Sequence, residues 1–245
     1  MGAKTWMISY SNESPREVLK DNSDLDRKET MKLVQKLFPN DSLEELSDGD
    51  LMFTNPPKNE ILAGYYSGVF ILATDELAID NPSMIDKRFL TTLPSYSLIQ
   101  VHAMHSVVDW FAYGIWKDGS LQRALSLSPD SGVIEDIGDK LPFEEPYWGG
   151  KYPIDDFEDE DFEYPFDFHP LEFGESALLH LFGYCCEGPR ESELEELFEP
   201  ENYQMLRFKR TEKSGILSKL NFHKNEKYFF ILVIIIAFAA GLLRG

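Results

Sequence analysis

DWFAYGIWKDGSLQRALSLS, residues 109–128, holds the most readable local structure in this chain. Asp118-Gly119 stands between two arms rich in aromatic and aliphatic residues, the pattern of a type I′ hairpin turn. A two-residue turn there pairs Trp116 with Leu121, Gly114 with Arg123, Ala112 with Leu125 and Trp110 with Leu127. One face then collects Trp110, Trp116, Leu121, Leu125 and Leu127, with Arg123 among them. The small Gly114 opposite leaves room for its side chain. An arginine in that company needs an acidic or carbonyl partner.

Working outward, TWMISYS (5–11) alternates and reads as a first strand. Ser14-Pro15 supplies a cap and a first-turn proline for a short helix, REVLK. From Asp26, DRKETMKLVQKLF sets Met31, Val34, Leu37 and Phe38 at helical spacing and stops at Pro39. The stretch SLEELSDGDLMFTNPPKNE is turn-rich. ILAGYYSGVFILAT (61–74) reads as one or two buried strands, with Gly64 and Gly68 marking bends. SLIQVHAMHSVV (97–108) is another strand, and SPDSGVIEDIGDKLPFEEPYWGG runs as turns and short extended pieces. FGESALLHLFGY (173–184) is a helix with Leu178, Leu181 and Phe182 inward and Gly183 near its end. ESELEELFEPENY reads as a last short acidic helix. Helices and strands mix without a βαβ rhythm or an internal repeat. The expected class is therefore α+β, a mainly antiparallel sheet with packed helices, plus one C-terminal transmembrane helix.

Charge divides the chain. Its net charge is -20, yet residues 207–245 hold eight bases and two acids, leaving 15 bases and 41 acids in residues 1–206. The expected organisation is an acidic cytoplasmic domain (1–206), a basic juxtamembrane linker (207–227) and a tail anchor (228–243). An acidic body of this kind is repelled by nucleic acid and by anionic lipid, which excludes nucleic acid as a partner and leaves basic proteins or cations. The plainer reading of the charge is solubility. The opening MGAKTWMISYSNE has no apolar run of the signal-peptide kind, and Trp6 occupies the position where a myristoylation motif wants Ser or Thr.

The uncharged run 228–243 contains Tyr228, Phe229, Phe230, Ile231, Leu232, Val233, Ile234, Ile235, Ile236, Phe238, Leu242 and Leu243. Sixteen residues as a helix reach about 24 Å, short of the ~30 Å hydrocarbon core. Lys227 and Arg244 snorkel at its ends. No face of the run is polar, which argues against a core helix. Arg207, Lys209, Arg210, Lys213, Lys219, Lys224 and Lys227 precede it and hold that side in the cytoplasm.

Chemistry is sparse. His102 and His105 lie three apart on a strand, hence on opposite faces, and ordinary strand histidines are the plain reading. Glu144 and Glu145 are adjacent carboxylates among forty-one acids. Together with Arg123 these are the candidate groups if the protein is an enzyme. Cys185 and Cys186 are adjacent and imply no disulfide framework; His180 lies five residues before them, without metal-ligand spacing. No cofactor motif and no phosphate loop is present. The acidic aromatic segment 155–168 holds eight acids between Asp155 and Asp167. It reads as a solvated loop, with docking to a basic protein as its functional alternative.

Three stretches, MGAKTWMISYSN, WKDGSLQRALSLSPDSGVIEDIGDKLPFEEPYWGG and FHPLEFGESALLHLFGYCCEG, resemble an uncharacterised bacterial family, a domain-of-unknown-function group whose members open with an MGAKT-like stretch. The resemblance covers residues 1 to about 188 and implies a bacterial, cytoplasmic-facing single domain. It brings no catalytic motif.

Overall fold

A computed structural model describes residues 2–154, 165–187 and 194–212. The segments 228–243 and 155–164, on which the anchor and most of the acidic loop were placed, lie outside the described residues. In chain order the strands are β1 (Lys4–Ser11), β2 (Asp41–Glu45), β3 (Gly49–Asp50), β4 (Glu60–Tyr66), β5 (Val69–Ala73), β6 (Leu98–His105), β7 (Trp110–Lys117), β8 (Ser120–Ser128), β9 (Gly132–Ile137) and β10 (Gln204–Glu212). The helices are α1 (Pro15–Leu19), α2 (Arg27–Leu37), α3 (Lys87–Thr91), α4 (Glu145–Trp148) and α5 (Pro170–Phe182). The chain divides into two units, Met1–Pro39 with Leu43–Arg210, and Asn40–Ser42 with Thr211–Gly245. The described part of the second is limited to Asn40–Ser42 and 211–212.

The fold is α+β. The strands form one sheet in the order β2-β10-β4-β5-β1-β6-β7-β8-β9, with β3 beside β10. Neighbouring strands from β10 to β9 pair antiparallel. Both faces are covered. Met7, Ile71, Met104, Phe111, Tyr113, Leu125 and Leu127 pack on one side against Leu19 of α1 and Ala177, Leu178 and Phe182 of α5. Ile8, Tyr10, Phe70, Leu72 and Val101 pack on the other against Leu33, Val34 and Leu37 of α2 and Phe89 of α3. Covering on both faces explains why central strands read as continuous apolar runs; every residue of β5 is buried.

Local signals place the helices. Asp26 Oδ1 accepts the Glu29 N–H at 2.9 Å and caps α2. Gly183, at φ 91°, ends α5 with its N–H on Leu179 O. Leu178, Leu181 and Phe182 face inward as expected. Gly64 is a packing glycine within β4 and marks no bend: a Cβ there would meet the ring of Tyr66. Gly68 does mark the β4–β5 turn, at φ 109°.

The opening hairpin is present, with one correction. Asp118 (φ 51°) and Gly119 (φ 75°) form the two-residue turn, and Trp116 faces Leu121. Beyond that pair the register shifts by one, so Ile115 faces Arg123, Gly114 faces Ala124, and Tyr113 faces Leu125. Gln122 is the extra residue of a bulge. The expected single face therefore splits. Trp110, Trp116 and Leu121 lie on the α2 side, while Leu125 and Leu127 join Phe111 and Tyr113 on the α5 side. Arg123 alternates with Leu125 and shares that side.

Other differences concern edges. The turn-rich stretch at 41–50 carries β2 and β3, and 132–137 is a full strand, β9. Residues 194–203 contain a single 3-10 turn, Pro200–Asn202, where a helix was expected. Residues 207–210, expected to open the linker, are strand. Leu206 and Phe208 are buried in the sheet, so Arg207, Lys209 and Arg210 belong to β10. Arg207 pairs there with Glu60 at 2.6 Å, and Arg210 with Glu76.

Candidate functional site

Arg123 is among the largest fully buried side chains of the described residues, at 1% exposure. Its Nε and Nη2 donate to Oε1 and Oε2 of Glu144 at 2.8 and 2.7 Å, a two-pronged pair. Nη1 donates to Asp136 Oδ1 at 2.5 Å and to Ile137 O at 3.0 Å. The bulge at Gln122 sets this direction. With Arg123 on the α5 side, its guanidinium meets the end of β9 and the turn before α4.

Glu144 is fully buried and saturated. Besides Arg123, it accepts the Tyr113 hydroxyl at 2.5 Å, the Leu141 N–H at 2.8 Å and the Trp148 indole N–H at 3.4 Å. Burial opposes the charge on Arg123, but its bonds to Glu144 and Asp136 raise its pKa overall. Burial, then the charge of Glu144, raises that of Tyr113. The predicted need for an acidic partner is met twice. Both oxygens of Glu144 are engaged inside the fold, and the physical role of the cluster is to fix residues 136–148 to the hairpin.

The other candidates do not join it. His102 is wholly buried on β6, between the Thr5 hydroxyl on Nδ1 (2.7 Å) and Gly174 O on Nε2 (2.9 Å). Burial lowers its pKa to about 4, so it is neutral, with its proton on Nε2. His105 points to the opposite face, stacked on Trp6 at 5.8 Å. Burial and the charge of Lys4 lower its pKa too. Glu145 is exposed while its neighbour Glu144 is buried, so the two carboxylates do not converge. Cys185 and Cys186 are free thiols whose pKa values burial raises, which favours the protonated form. Glu175, buried at 3% exposure, accepts the N–H groups of Cys186 and Glu187 at 2.8 and 3.2 Å and holds this turn to α5. Among the described residues, no group of three or more His, Cys, Asp or Glu side chains is placed to hold a metal ion. No described helix is long and apolar enough to cross a membrane.

A cleft of about 630 Å³ lies where α5 meets the segment around α4. Leu141, Phe143 and Leu181 form apolar walls, and Tyr152, Ser176 and His180 bring polar atoms. The His180 ring stacks on Phe143 with centroids 4.9 Å apart. Its Nδ1 donates to Ser176 O at 2.8 Å, one helical turn back, with Ser176 Oγ farther off at 3.5 Å. Burial and then Arg16 lower its pKa, against the pull of the Ser176 carbonyl. The sequence reading noted His180 only beside the cysteines; its partner Phe143 stands 37 residues away and no periodicity links them.

No curated protein and no solved structure matches the chain. The profile of a family of unknown function (DUF6928) matches residues 5–208. That span runs from β1 to the buried Phe208 of β10, and the chain belongs to this family.

Proposed function

We propose that the protein is a binding or regulatory module for a basic protein, held at the cytoplasmic face of a bacterial membrane by residues 228–243. The observation that carries the reading is the closed Arg123–Glu144 cluster. The polar groups that an enzyme built on Arg123, His102, His105, Glu144 and Glu145 would need are spent inside the fold or scattered over it. Glu144 and Glu175 are the buried carboxylates among the described residues. The remaining described acids of a body with 41 in residues 1–206 therefore reach solvent, where they draw cations and basic surfaces. The apolar run and the bases Lys213, Lys219, Lys224 and Lys227 before it support the anchor.

Vesicle sedimentation tests the placement. The full chain is expected to pellet with phosphatidylethanolamine–phosphatidylglycerol vesicles, and a chain lacking 228–245 to stay in the supernatant. A truncated chain that still pellets, or a full chain that does not, removes the anchor. Uncharged phosphatidylcholine vesicles carrying the full chain should retain a fluorescent oligolysine peptide at low salt and release it at high salt. Equal retention by bare vesicles removes the basic partner.

A further inference from the structure

We propose that the cleft beside α5 is a binding site for a small aromatic molecule with a single O–H or N–H donor, of the phenol or indole class, received by Nε2 of His180. This goes beyond the interaction reading and does not depend on it.

The size suits such a ligand, since clefts of roughly 300–1,000 Å³ accommodate small organic molecules. Geometry selects the acceptor. The ring donates through Nδ1 to the carbonyl of its own helix, which fixes the tautomer and leaves the lone pair on Nε2. Because Nδ1 turns back toward the helix backbone, Nε2 is directed away from it, and the ring is part of the cleft wall. Stacking on Phe143 holds the ring plane, so the acceptor is oriented before any ligand arrives. Ser176 and His180 do not form a nucleophile–base pair, because the nitrogen nearer the hydroxyl already serves the Ser176 carbonyl.

The walls select an aromatic body. Tyr152, Pro142 and Pro146 present flat, rigid surfaces, which suit a planar ring better than a branched chain. Among the described residues lining the cleft there is a lysine, Lys151, and no aspartate or glutamate.

The test uses the full chain labelled with [15N]histidine, titrated with indole and separately with indene, which has the same shape without the N–H. Indole is expected to shift the pyridine-type Nε2 resonance of His180 toward the pyrrole-type value in a saturable way. Indene should bind about 3- to 10-fold more weakly, the difference one neutral hydrogen bond makes. His180→Phe keeps the stack, removes the acceptor and assigns the signal; by calorimetry it should reduce indole to the affinity of indene. No saturable shift up to the solubility limit of indole overturns the proposal. Equal binding of the two probes by the unaltered protein overturns it as well, whether or not the variant folds.

Discussion

Removing one partner of the Arg123–Glu144 pair strands the other charge away from water. Glu144→Ala is therefore expected to lower stability by about 3–5 kcal/mol. Asp136→Ala should cost under about 1 kcal/mol, because that side chain is 42% exposed and water takes its place. Urea unfolding midpoints check both, and similar losses would mean that the bond to Glu144 is no special anchor. His102 offers a pH test. Its pKa falls from 6.5 to about 4 on folding, so the unfolded chain binds its proton more readily. The stability it preserves is complete above pH 6.5 and is lost as pH falls toward 4, by roughly 3 kcal/mol at most. His102→Gln should flatten the decline in urea midpoint over that interval, even from a lower starting value. An arginine among apolar neighbours was legible as a group needing an acid. Which acid was not, because Glu144 is one of many carboxylates in the sequence and only the chain reversal after β9 brings it under Tyr113.

At the scale of elements the bulge at Gln122 matters most. Gly138 (φ 84°) lies against it, and a Cβ there would come within 2.0 Å of the Gln122 carbonyl oxygen. Gly119 has a similar φ of 75° but open space around it. Gly119→Ala should therefore lose only the conformational preference, about 1–2 kcal/mol. Gly138→Ala should lose distinctly more, as a larger drop in melting temperature, since backbone has to move. Equal drops would show that the bulge yields freely. Turn, capping and periodicity signals located α2, α5 and the hairpin tip because each is written within a few residues. A bulge depends on what the two flanking segments pack against, so the alternating pattern alone gave a register one residue out. β2, β3 and β9 escaped notice for a related reason. They are edge or near-edge strands in which every residue is half-buried or exposed, so none carries the apolar run of a core strand.

For the molecule as a whole, residues 1–206 carry 15 bases against 41 acids, and such a body repels itself. Its melting temperature is expected to rise by a few degrees as sodium chloride screens that repulsion. A flat or falling dependence would mean that local ion pairs such as Arg27–Asp48 and Arg207–Glu60 outweigh it. The α+β class was readable from the mix of elements, whereas the two-sided covering of the sheet was not, because nothing local says which helix lies above or below. The position of β10 also bears on how the protein is made. It follows every other described strand off the ribosome, yet it sits inside the sheet beside β4. Until residues 206–209 emerge, β4 presents a bare row of amides and carbonyls to the cytosol. The nascent chain thus carries an unpaired edge from the emergence of residues 60–66 until residues 206–209 follow, and a holding chaperone has its natural target there.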